Sequence, residues 1–142
     1  MFFFQIVDFV PFETALAVKA GKSGIGLTKR TNGILIIAHT LLEFHSKFSR
    51  FPLTATREQD IDELFKLQNE VLDRLGLDDN VLKNCSNWFK HVFGQLSPVC
   101  AVVGGVIGQD IIRSLSRNDA PIRNFFLFNG LNYTGVIESI GK

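Results

Sequence analysis

The sequence predicts an α/β fold, rich in helix and carrying only a few strands. Three observations predict it. Ser97–Leu115 reads as a long helix, apolar on every side in its first half and interrupted by Gly104, Gly105 and Gly108. Two strand-like runs follow it, 123–130 and 131–140. Three helix-like segments precede it, themselves preceded by the apolar run 2–10. A strand, a helical region, then helix–strand–strand does not make a complete doubly wound sheet. It reads as the far half of one.

In chain order, Phe2–Val10 is a dense apolar run broken by Gln5 and Asp8 and ended by Pro11, and reads as a strand. It begins directly after Met1, which leaves open whether Met1 is a true start or follows a truncation. A short helical turn is expected over 11–18. Lys19–Gly26 reads as a connecting loop. Its Gly21-Lys22-Ser23 suggests a phosphate loop, but that pattern needs glycine where Leu16 stands. Gly24 and Gly26 likewise lack the third glycine of a dinucleotide loop, since Lys29 occupies its place.

Residues 31–48 predict a helix with Ile34, Ile37, Ala38, Leu41, Leu42 and His45 on its apolar face, widened by Ile36 and Phe44. Residues 56–75 predict the clearest amphipathic helix. Thr56 with Gln59 suggests a capping box, Ile61, Leu64, Phe65, Gln68, Val71, Leu72 and Leu75 trace the buried face, and Gly76 is the stop. A further helix is expected over 79–93, with Val81, Leu82, Cys85, Trp88, Phe89 and Val92 inward and Gly94 ending it. Ser97 is the expected N-cap of the glycine-rich helix and Pro98 its first residue. Polar residues enter only from Gln109, so the helix is expected to start deep in a core and emerge toward water. The whole is read as one partial domain: 1–18 strand and turn, 19–30 loop, 31–94 helical region, 95–142 glycine-rich helix and strand pair.

Composition narrows the function. With 142 residues, 46% of them hydrophobic and 20% charged, the chain has the makings of a single core. Its formal charge of +1 gives no broad field for nucleic acid or an anionic membrane, and neither is an expected partner. No uninterrupted apolar stretch reaches the roughly 20 residues that span a bilayer. The opening residues lack the basic start of a signal peptide. Cys85 and Cys100 form no CxxC pair, and both are expected to be buried, structural thiols in a reducing compartment. His39, His45 and His91 have no metal-ligand spacing. Asp60, Asp62, Glu63 and Glu70 read as the solvated face of a helix, and Glu138 is given no role. No catalytic, cofactor-binding or metal site is expected in this chain alone. Glycines in a helix interior each cost about 1 kcal/mol against alanine. Close backbone packing is the expected compensation, which makes Pro98, Ala101, Gly104, Gly105 and Gly108 the structural packing residues.

The run Pro98-Val99-Cys100-Ala101-Val102-Val103-Gly104-Gly105, with Gln109-Asp110-Ile111, Asn124–Phe128 and Gly135–Glu138, resembles the end of the smaller, non-catalytic subunit of the SUMO-activating enzyme family. Phe9-Val10-Pro11-Phe12, Ala15-Leu16 and Val71–Gly76 fit the same family. The resemblance implies the C-terminal half of a ThiF/MoeB-like, Rossmann-type adenylation fold without its nucleotide-binding first half. It implies a regulatory or structural role beside a catalytic subunit that adenylates SUMO with ATP and magnesium and carries the thioester cysteine itself. It also implies a nuclear location, with the cytoplasm left open. Two alternatives stand beside it: a non-enzymatic shortened module that binds the catalytic subunit, and the equivalent subunit for another ubiquitin-like modifier.

Overall fold

In the computed structural model, which describes residues 8–19, 33–85, 87–117 and 119–141, two helices form the centre. They are α2 (Gly33–Phe48) and α3 (Arg57–Leu75), packed against each other. Before them lies α1 (Phe12–Leu16); after them come 3-10 turns over Asp79–Cys85 and Trp88–Lys90, then α4 (Ser97–Ser116) and strands β1 (Phe125–Asn129) and β2 (Thr134–Glu138). The coarse expectation, helix-rich with a few strands, matches this order.

α2 is helical where expected but turned about its axis. Its buried residues are Leu35, Ile36, His39, Thr40 and Phe44 with Gly33, while Leu42 and His45 are exposed. Residues 34–38 are all apolar, so periodicity leaves the phase open and the neighbours set it. Ile36 and Leu35 join Val71, Leu72 and Leu75 of α3, together with Leu77, Val81, Leu82, Leu127 and Ile140, in one cluster. Phe44 joins Leu64, Leu67 and Trp88 in a second. Ile37 packs, half-buried, against both. Thr40 satisfies its buried hydroxyl by donating to the Ile36 carbonyl at 2.8 Å.

α3 ends as its sequence predicts. Gly76 is left-handed at φ 69°, its N–H donating to Asp73 and Leu72, and Leu77 N–H donates to Leu72 at 3.0 Å. Only a residue free of a Cβ clash adopts that turn readily. Along the helix, Leu67 joins the buried face, while Phe65 is exposed against Phe89. The start differs from expectation. No side chain caps it, and Thr56 instead donates its hydroxyl to Asp60 at 2.8 Å. Asp60 is not on a solvated face: its side chain is only 4% exposed. Both its oxygens accept from Arg50 at 2.8 Å, and Oδ2 also accepts Leu53 N–H at 2.9 Å. The segment 49–56 thus folds back onto the first turn of α3.

Residues 79–93 do not form the single helix expected. Asn87 is left-handed at φ 61° and separates two 3-10 pieces. Asparagine tolerates that region, and its side chain competes with helical backbone bonds. The break turns Trp88 inward, where its indole N–H donates to Gln68 Oε1 at 2.8 Å. Gln68→Leu is expected to leave that donor unpaired and lower stability by about 1–2 kcal/mol. A melting temperature unchanged in the co-expressed complex would show that Trp88 finds another acceptor.

β1 and β2 pair antiparallel, from Phe125 opposite Glu138 to Asn129 opposite Thr134. Asn129 Oδ1 accepts Leu131 N–H at 2.9 Å and Asn132 Oδ1 accepts Thr134 N–H at 3.2 Å, which closes the turn. Asn124 locks the other end by bonding both ways with Ile140, at 2.9 and 3.0 Å. The expected strand over 2–10 lies largely outside the described residues, and its described part, 8–10, has no strand. Pro11 precedes the short α1 as its N-cap, the helical turn expected within 11–18 forms, and Ala15 is buried. Of the loop expected over 19–30, all but Lys19 lies outside the described residues.

Candidate interaction surface

α4 is the element the sequence singled out, and its surroundings correct two expectations. Ser97 lies inside the helix, Leu96 precedes it as the cap, and no side chain caps the end. More consequentially, no residue of α4 is buried in any turn. The apolar first half does not start in a core.

The helix has two unlike sides. Val99, Val103, Val106, Asp110 and Arg113 recur at spacings of four and three and are half-buried. This row faces the rest of the chain. Asp110 Oδ1 accepts Ile122 N–H at 2.6 Å, and Val99 lies so near Gly130 that a Cβ there would meet it at 2.7 Å. On the other side, Cys100, Ala101, Gly104, Gly105, Ile111, Ile112 and Leu115 are exposed, and Gly108 is half-buried. A Cβ added at Gly104, Gly105 or Gly108 would meet nothing within 4 Å. The described residues therefore bring no neighbour to these glycines, and Pro98 and Ala101 are exposed as well. With 20 residues and a mean hydropathy of 1.3, α4 is long and apolar enough to cross a membrane by length and composition. The run is not uninterrupted, because Gln109, Asp110 and Arg113 break it, but they do not lower its average far enough to fail that test.

β2 is uncovered too. Val136 and Ile137 point to opposite faces of the strand, and both are exposed, at 39% and 56%. A cavity of about 420 Å³ opens at the root of α4, bounded by Ile37, Trp88, Leu96, Val99 and Phe128 and edged by Lys90 and His91.

Cys100 is exposed, because the helix that carries it is uncovered. The side chain of Cys85 lies outside the described residues. His39 is buried beside Arg74, whose Nη2 is 3.3 Å from Nε2 and 2.7 Å from Glu43 Oε1. Burial first, then the Arg74 charge, hold its pKa below the usual imidazole value, with Glu43 opposing. It sits between α2 and α3, beside the Arg74 side chain. Glu63 bridges Lys66 at 2.9 Å and Lys47 at 3.1 Å, and those hydrogen bonds lower its pKa. Asp62 and Glu70 are exposed, as expected. Among the described residues no group of three His, Cys, Asp or Glu could hold a metal ion.

What the arrangement offers is surface: a bare-backbone helix face and an uncovered strand. Sequence reasoning marked the glycines but missed the half-buried row, whose spacing and whose Asp110 and Arg113 were its signal.

No protein-family model matches the chain. The chain is 35% identical over 136 residues to SUMO-activating enzyme subunit 1 of Homo sapiens, covering 95% of this chain and 39% of that protein. The same-named protein of Danio rerio is 39% identical over 138 residues, covering 94% and 38%. That of Xenopus tropicalis is 33% identical over 140 residues, covering 96% and 39%. The chain thus spans about two fifths of the length of the curated relatives it matches. The resemblance carried by Pro98–Gly105 and Asn124–Phe128 thus extends along nearly the whole sequence, as similarity to about two fifths of proteins named SUMO-activating enzyme subunit 1.

Proposed function

We propose that the chain serves as the architectural, non-catalytic part of a SUMO-activating enzyme. It would support ATP-dependent adenylation of SUMO by a catalytic partner subunit in a heterodimer. The observation that carries this reading is the 33–39% identity along about 95% of the chain to proteins named for that subunit. The half-built architecture supports it. A two-stranded sheet and an uncovered apolar helix suit the C-terminal half of a ThiF/MoeB-like adenylation fold whose remaining strands lie elsewhere. ATP and magnesium belong, on this reading, to the heterodimer. No chemical step is assigned to this chain on this reading. The nucleus is the proposed location, with the cytoplasm also open.

Co-expression with the catalytic subunit and the rest of the smaller subunit tests the reading. A complex that charges SUMO onto the catalytic subunit is the expected result. Failure of this chain to co-purify would overturn it. A second reading is a shortened module that binds the catalytic subunit and competes with the full-length one. It expects SUMO adenylation to fall as this chain is added.

Neither cysteine is expected to carry the thioester. Cys100 has only Val99, Ala101 and Val102 beside it in sequence, with no activating base or cation there. The double variant Cys85→Ala/Cys100→Ala is expected to support charging at the unmodified rate. Loss of the SUMO–enzyme thioester from an intact complex would refute this.

A further inference from the structure

We propose that the cavity at the root of α4 binds a small amphipathic acid. Its hydrocarbon part lies between Ile37, Trp88, Val99 and Phe128, and its anionic group meets Lys90 and His91 at the edge. This site stands apart from the architectural role, which asks no ligand of these residues. Its first support is construction. Four elements supply the walls: Ile37 comes from α2, Trp88 from the second 3-10 turn, Val99 from α4 and Phe128 from β1. Two of these walls are held from behind. Trp88 is 4% exposed, and its indole N–H is tied to Gln68. Ile37 packs against both core clusters. Gly130 draws the turn after β1 against Val99, so close that a Cβ would meet the valine at 2.7 Å. At about 420 Å³ the cavity is of the size that takes small organic ligands, whose sites are mostly apolar with a few placed polar groups.

The second support is charge. Lys90 and His91 border the cavity with their side chains exposed, and no carboxylate is among the described residues that line it. The chain as a whole carries 15 Lys and Arg against 14 Asp and Glu, so this border is more one-sided than the sequence that supplies it. An ammonium group only donates hydrogen bonds, and its bonds to an anion are the strong ones. The walls therefore suit a hydrocarbon and the edge suits an acid. An apolar side chain from the rest of the subunit would fill the walls and make no use of Lys90 and His91.

Decanoate, kept below its micellar range, is the probe. Its binding is measured by equilibrium dialysis in the co-expressed complex and, for comparison, in the full chain alone. The expected result is one saturable site per chain in the complex. The melting temperature of the complex is expected to rise with decanoate, since a ligand that binds only the folded form stabilises it. Lys90→Gln with His91→Gln is expected to weaken binding about tenfold, through loss of a charge-assisted contact. Decanol is expected to bind more weakly than decanoate by a similar factor. Gly94→Phe is expected to abolish binding: Gly94 borders the cavity, and a Cβ there meets nothing within 4 Å, so the ring has free space to enter. Co-purification of that variant and its melt without decanoate check that it folds. Lys66→Gln, outside the cavity, is expected to change nothing. Absence of saturable binding in the complex, or binding unaltered by Gly94→Phe, would overturn the site. Decanol binding as tightly as decanoate, or an unchanged affinity in the Lys90→Gln/His91→Gln variant, would overturn the acid as the ligand class. Binding by the chain alone that vanishes in the complex would overturn the ligand and give the cavity to the rest of the subunit.

Discussion

Produced alone, the chain is expected to aggregate, or to melt without a cooperative transition. It is expected to become soluble when co-expressed with the rest of the smaller subunit and the catalytic subunit. The reason lies in what is uncovered. α4 offers a row of apolar and glycine residues to solvent over 20 residues, and β2 exposes Val136 and Ile137 on both its faces. Contiguous apolar surface of this kind marks an interaction site or an aggregation hazard. β2 pairs only with β1 among the described strands, and an unpaired strand edge adds to the hazard. Gly104, Gly105 and Gly108 each weaken the helix by about 1 kcal/mol, and no contact among the described residues offsets that. A partner that binds only the folded form would stabilise it by mass action. Light scattering, calorimetry and amide dispersion check this. A monodisperse monomer with a sharp melt and dispersed signals would show that these residues form a complete domain.

The second large effect belongs to Asp60. Asp60→Ala is expected to lower the stability of the co-expressed complex by about 3 kcal/mol, the upper range for hydrogen bonds to a charged group. The carboxylate organises the 49–56 segment through Arg50, Leu53 N–H and the Thr56 hydroxyl. Without it, the Leu53 donor is unpaired and the anchor on α3 is lost. The same bonds, Arg50's foremost, hold the Asp60 pKa well below the usual carboxylate range, against the opposing effect of burial. A lowered folded-state pKa contributes stability above the unfolded pKa and loses it as pH falls toward the folded value. The denaturant midpoint of the unmodified protein is therefore expected to fall below about pH 4, and that part of the slope is expected to vanish in Asp60→Ala. An equal slope in both proteins would assign the acid sensitivity to other carboxylates.

How far these features were legible in the sequence depended on whether they were local. α3 was legible because its apolar residues repeat over five turns and Gly76 can only be a stop there. α2 was legible as a helix but not in phase, since 34–38 are apolar throughout. The break at Asn87 was hidden because Asn84, Ser86 and Asn87 depress helix only slightly, and the inward turn of Trp88 onto Gln68 decides it. Asp60 was misplaced because its partner, Arg50, lies ten residues back across a loop, and such pairs leave no periodic trace. The environment of α4 was misread by equating apolar with buried. The resemblance was legible because Pro98–Gly105 and Asn124–Phe128 are long, specific strings, whereas the row that attaches α4 was visible only as a spacing.

Ile37 touches both core clusters, and α2, like α3, supplies residues to each. Neither cluster can open far without releasing the same helix. Amide hydrogens at the middle of α2 should therefore exchange with solvent only through the largest opening this part of the chain undergoes, and those of α3 should share its opening free energy. The helical region would behave as one unit of exchange, not two, with its slowest protons at Ile36, Ile37 and Thr40.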